Sequence, residues 1–169
     1  LLDFGFSIIW VCSKEAELEK IIKSFNKKIK RSLDAGIIDE AAYSKLHRNT
    51  KITNDLQQLQ NCDLVIETIS ENIDLKQKLF LELDGIAPGN CIFASNSSSI
   101  NPSEILPSES RKNRFIGLHF FYPVALKNIV EFIVSDSTSK EVIEKMTQFL
   151  SLIKRDHLLL NENDSFILN

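Results

Sequence analysis

Short apolar runs, each followed by a segment with helical spacing, recur along the chain and leave few folds open to it. Residues 7–12 (SIIWVC) form a continuous apolar run that reads as a strand buried on both faces. The segment after it places Leu18, Ile21, Ile22, Phe25, Ile29 and Leu33 at helical spacing, which predicts a long amphipathic helix ended by Ala35-Gly36. A shorter helix is expected over residues 39–46 and another over 56–59, with the polar stretch RNTKITND between them.

The same alternation continues. DLVIET (63–68) reads as a strand, Asn72 as the N-cap of a helix over 73–83, and Leu75, Leu79, Phe80 and Leu83 as that helix's apolar face. The turn Pro88-Gly89-Asn90 leads into the strand CIFAS, and Asn101-Pro102-Ser103-Glu104 starts a short helix. Two more strands are expected over 114–120 and 128–134. Thr138 and Glu141 suggest a capping box before the last helix, and 157–160 is a final apolar segment. Strands alternating with helices predict an α/β layer fold with a mainly parallel sheet, in which SIIWVC, DLVIET and CIFAS are neighbouring parallel strands.

A length of 169 residues suits one domain. Twenty basic and 23 acidic residues give a net charge of -3, which offers no long-range attraction to nucleic acid or an anionic membrane. No apolar run approaches the roughly 20 residues needed to cross a bilayer. Cys12, Cys62 and Cys91 have no CxxC spacing and read as small buried hydrophobes in a reducing compartment, with neither a disulfide framework nor a zinc site indicated. No targeting segment is visible, so a cytoplasmic location is expected. Lys23, Lys27, Lys28 and Lys30 could meet phosphates, although a lysine-rich helix face is more often simply solvated.

In a parallel sheet, ligands lie beyond the carboxyl ends of the strands. That rule singles out three polar clusters: residues 67–71, the serine-rich loop 95–99 (SNSSS), and His119, which lies between apolar runs in FIGLHFFYPV. Histidine is suited to proton transfer near neutral pH, although a lone one on an apolar strand is more often a satisfied core residue. Glu131, twelve residues on, is either a surface acid or the group that fixes the imidazole's tautomer.

DLVIETISENIDLKQKLFLELD, IFASNSSSI and GLHFFYPV followed by IVEFI, in this order, resemble the N-terminal, NAD-binding domain of the L-3-hydroxyacyl-CoA dehydrogenases. The resemblance covers essentially residues 1–169 and implies a Rossmann-like, mainly parallel sheet flanked by helices. It implies His119 as catalytic base, Glu131 as its orienting carboxylate and Ser98 as donor to the substrate's reacting oxygen. Glu71, Lys76 and Asn96 are implied near the nicotinamide end of NAD. The activity implied is NAD-dependent oxidation of L-3-hydroxyacyl-CoA to 3-ketoacyl-CoA, or the reverse reduction, in fatty-acid metabolism and within a longer, homo-oligomeric enzyme; no metal is implied.

Four departures from the family pattern bear on that expectation. The chain starts just past the family's opening strand and GxGxxG turn, so a first strand is expected to be missing and an inner sheet edge exposed. Cys12 stands where an acid would receive the adenosine ribose hydroxyls, and a thiol cannot make those charge-assisted bonds. Tyr122 replaces the asparagine of the family's HFFNP motif. In residues 162–169, Asp164 and Ser165 replace the proline and glycine that lead into a helical second domain. Together they make NAD binding by these residues alone weak, and they leave open a degenerate homologue that serves as a non-catalytic binding or structural module. A dehydrogenase for another hydroxy acid is a third reading.

Overall fold

The computed structural model describes residues 4–12 and 14–164, which contain seven strands and four α-helices. Leu1 and residues 165–169, on which two of the sequence departures fall, lie outside the described residues. The chain divides into two compact units, Leu1–Gln58 and Leu59–Asn169.

In the first unit β1 (Ile8–Val11) leads to α1 (Glu15–Asp34), α2 (Glu40–Arg48) and β2 (Thr50–Thr53). Gly36, at φ +67°, takes the left-handed conformation that lets the chain leave α1. Asp39 caps α2 by accepting a hydrogen bond from the Ala42 amide at 2.7 Å. β1 and β2 pair in parallel, Ile8 with Thr50 through Val11 with Thr53, as a two-stranded sheet of their own. This corrects the expectation that SIIWVC neighbours DLVIET. The stretch expected to be polar loop supplies the pairing strand, because Thr50, Ile52 and Thr53 are β-branched and suit a pleated backbone.

The second unit holds a five-stranded sheet in the order β3 (Leu64–Glu67), β4 (Ile92–Ser95), β5 (Phe115–Phe120), β6 (Ile129–Val134), β7 (Asp156–Asn161). β3, β4 and β5 run parallel, β6 is antiparallel to β5, and β7 is parallel to β6. The reversal at β6 follows from the connection over 121–128, which is shorter than the dozen or so residues a parallel crossover needs. β4 and most of β5 are buried, and Phe80, Phe93 and Phe115 form an aromatic cluster with Phe80 and Phe115 centroids 4.6 Å apart, edge to face. Arg111 stacks on the Phe93 ring and ties down the turn before β4 through Asp84 and the Ala87 and Pro88 carbonyls.

Two helices differ in detail from expectation. α3 (Ile73–Asp84) is capped by Asn72, whose side chain accepts from the Leu75 amide at 3.0 Å, but Leu75 is half-exposed and the inward face is Lys76, Phe80 and Leu83. A carboxylate beneath the helix, described below, draws the ammonium inward. α4 (Lys140–Leu152) is capped by Ser139 rather than Thr138, whose hydroxyl instead accepts from the Ser135 amide in the preceding turn.

Candidate active site

His119 and Glu131 are direct cross-strand partners on β5 and β6. Antiparallel pairing sets the two side chains on one face of the sheet, and His119 Nδ1 lies 2.8 Å from Glu131 Oε2. Both are buried, His119 at 7% exposure and Glu131 at 0%, so Glu131 is not the surface acid that its sequence context allowed. With Nδ1–H donated to the carboxylate, the neutral ring carries its acceptor lone pair on Nε2. Phe121 packs its ring 4.4 Å from the imidazole centroid and restricts its rotation, while Tyr122 is almost wholly exposed.

The serine loop is organised from the opposite direction, by the residues that follow β3. Glu71 Oε1 accepts from the Ser98 amide at 3.0 Å, the Ser99 amide at 3.1 Å, the Ser99 hydroxyl at 2.8 Å and the Ser97 hydroxyl. Burial by itself pushes the Glu71 carboxyl up, but the Ser97 and Ser99 hydroxyls, the Ser98 amide and the nearby Lys76 together outweigh it and hold the group at about 2. Lys76 Nζ lies 3.4 Å from the other Glu71 oxygen.

Lys76 is only 1% exposed and bonds both oxygens of buried Glu67, at 2.8 and 2.9 Å. The Ser95 hydroxyl and the Ile69 amide donate to the same carboxylate. Glu67 therefore anchors Lys76, a role that spacing did not assign. The legible signal was an acid ending an apolar strand nine residues before a lysine that sits among apolar helix positions.

Asn96 joins the two clusters. Its amide donates to the Glu67 carbonyl at 2.9 Å, and its side-chain oxygen accepts from the Phe120 amide at 2.9 Å. One residue thus links the carboxyl ends of β3, β4 and β5, next to His119. Because these strands are parallel, Glu71, Asn96, Ser98 and His119 all come at the same edge of the sheet, where ligands of such sheets lie.

A family model described as "3-hydroxyacyl-CoA dehydrogenase, NAD binding domain" matches residues 1–163. The chain belongs to that family. It is 34% identical to human mitochondrial hydroxyacyl-coenzyme A dehydrogenase over 157 residues, covering 93% of this chain and 49% of the relative. The solved (S)-3-hydroxybutyryl-CoA dehydrogenase PaaH1 from Ralstonia eutropha superposes with a TM-score of 0.85 at 29% identity, over 95% of this chain and 56% of that one. FadB2 from M. tuberculosis gives 0.89 at 24% identity, over 99% and 60%, a likeness of fold. The chain spans about half the length of the curated relatives it matches. The five-stranded sheet and its helices are the Rossmann-like layer of these dehydrogenases, and NAD is the cofactor of the domain family.

Beyond β3 and β4, at the carboxyl edge where ligands of such sheets lie, a donor-rich loop is held by a fixed carboxylate. In the first unit, buried Cys12 turns its thiol to the Thr53 carbonyl, 3.5 Å away, and offers no charged acceptor for a ribose.

Proposed function

We propose that residues 1–169 are the NAD-binding part of a longer L-3-hydroxyacyl-CoA dehydrogenase, oxidising the 3-hydroxyl to a ketone or running the reverse reduction. The observation that carries this reading is the buried His119–Glu131 pair. A fully buried carboxylate has lost several kcal/mol of hydration, and well-packed apolar residues would serve a purely structural sheet as well or better. Its orientation toward an imidazole beside the ligand edge has a clear use in proton transfer.

In this reading His119 Nε2 takes the hydroxyl proton as the C3–H bond breaks, and Glu131 stabilises the imidazolium that forms. Bound NAD supplies the acceptor for the hydride. Ser98, held by Glu71, donates to the oxygen whose charge changes, and Lys76, Glu67 and Asn96 keep that loop in register with β5. An acyl-CoA substrate is supported by the names of the relatives, and a role in fatty-acid metabolism by the match to a peroxisomal fatty acid beta-oxidation multifunctional protein of Arabidopsis thaliana. The three free cysteines suit a reducing compartment such as the cytoplasm.

The test is NADH formation from a short L-3-hydroxyacyl-CoA by the whole protein. His119→Gln or Glu131→Gln should each lower turnover by roughly 100-fold or more while leaving the fold intact. Unchanged turnover in the His119 variant would remove this mechanism. Cys12 and exposed Tyr122 favour a second reading, a homologue that binds without turnover; a wild-type protein that binds NAD and acyl-CoA but forms no NADH would establish it.

A further inference from the structure

The two sides of β5 are supported differently where it carries the histidine. Toward β6 the pairing continues to the end of the strand, with His119 opposite Glu131 and Phe120 opposite Val130. Toward β4 the register stops at Ser95 opposite Gly117, three residues before Phe120. β4 leaves the sheet there because the serine loop turns on its own hydroxyls: the Ser97 amide donates to Ser95 Oγ at 3.3 Å, and the Ile100 amide to Ser97 Oγ at 2.8 Å. The strand that bears His119 therefore runs past its neighbour, and a backbone donor on that side needs another acceptor.

Asn96 supplies it. Its side-chain oxygen accepts from the Phe120 amide at 2.9 Å, while its own amide donates to the Glu67 carbonyl at 2.9 Å. A backbone N–H can only donate, so the orientation of the side-chain amide is fixed, with Oδ1 toward β5 and Nδ2 away from it. That oxygen is committed to the strand; offering it to a ligand instead would leave the Phe120 donor unpaired. The family resemblance sets Asn96 beside the cofactor, whereas its bonds tie it to the residue that follows the histidine.

We propose that Asn96 is a positioning residue for His119: its side chain extends the β4 ladder by one bond and so holds the end of β5, and with it the imidazole, at the ligand edge. The role rests on the reading of His119 as the proton acceptor. It places the effect of Asn96 in the proton-transfer step and not in affinity for NAD.

The test uses the full-length protein labelled with 15N-phenylalanine, with Phe120 amide exchange read by NMR alongside NADH formation and calorimetric titration of NAD. Asn96→Leu keeps the volume and removes the acceptor. It should speed Phe120 exchange by about 10-fold or more while Phe93 and Phe115, buried in the core, exchange as in the wild type. It should also lower kcat by about 10-fold or more and change the NAD dissociation constant by less than about 2-fold. Asn96→Asp retains an acceptor oxygen and should recover Phe120 protection and most of the lost kcat. Should the leucine variant fail to fold, Asn96→Ala removes the same acceptor without apolar bulk and is judged by the same readouts. Unchanged Phe120 exchange, or a raised NAD dissociation constant with kcat unaltered, would overturn the proposal. A wild type that forms no NADH would count against the catalytic reading alone, because Phe120 exchange in the variant still decides whether Asn96 holds the strand.

Discussion

Glu71 shows how one side chain can set a loop. It gathers three consecutive residues, Ser97, Ser98 and Ser99, onto a single carboxylate oxygen, and those donors need an ionised acceptor. Its carboxyl is held at about 2 in the folded chain against an ordinary 4.5, so its stabilisation is present above pH 4.5 and is lost as pH falls toward about 2. Glu71→Gln lacks the titrating group. Melting temperatures measured through that window should therefore fall more steeply for the wild type than for Glu71→Gln, and equal slopes would show that the loop does not depend on the charge. The sequence made the serine loop, Glu71 and His119 visible because each lies at or just beyond the carboxyl end of a strand, and Glu131 because it is an acid within an apolar strand. It did not reveal that Lys76 lies inside, since burial of an ammonium depends on Glu67, an acid from another element.

Among elements, the β5–β6 pair carries the most, because it holds His119 opposite Glu131. Two residues before the histidine, on the same face, Gly117 is paired with Ile133, and a Cβ at Gly117 would stand 3.0 Å from the isoleucine Cβ and 3.2 Å from its Cδ1. Neither atom can give way without moving the strand or the isoleucine rotamer. Gly117→Ala should thus destabilise the protein by about 1–3 kcal/mol, the usual cost of overpacking a filled core, and lower turnover by disturbing the adjacent His119–Glu131 pair. Denaturant unfolding measures the first effect; a loss below about 0.5 kcal/mol would place this contact among those the sheet accommodates freely. Strand positions were legible here from continuous apolar runs, and the short β5–β6 connection carried the antiparallel turn. β2 was not legible, because TKIT has neither a continuous apolar run nor a hydrophobic face long enough to read.

At the scale of the whole molecule, the ordered motifs identified the family because they cluster at the carboxyl ends of strands, where chemistry restricts residue choice most. Sheet partition was not legible in the same way, since strand neighbours are set by long-range hydrogen bonds that no local pattern encodes. That partition has an energetic consequence for each unit taken by itself. In the second unit Phe80, Phe93, Phe115, Ile116, Leu118, Phe132 and Ile133 are all essentially inaccessible. In the first, Cys12 and Ile29 are the buried apolar side chains among the described residues, and its sheet is two strands of four residues each. Sheets of that size are marginal in water without a packed face, and local opening is cheapest where few apolar contacts are buried. Hydrogen exchange read by mass spectrometry should show β1, α1 and β2 exchanging well before β4, β5 and β6. Equal protection in the two sets would mean that the first unit opens only with global unfolding, and that its sparse core is no measure of its stability.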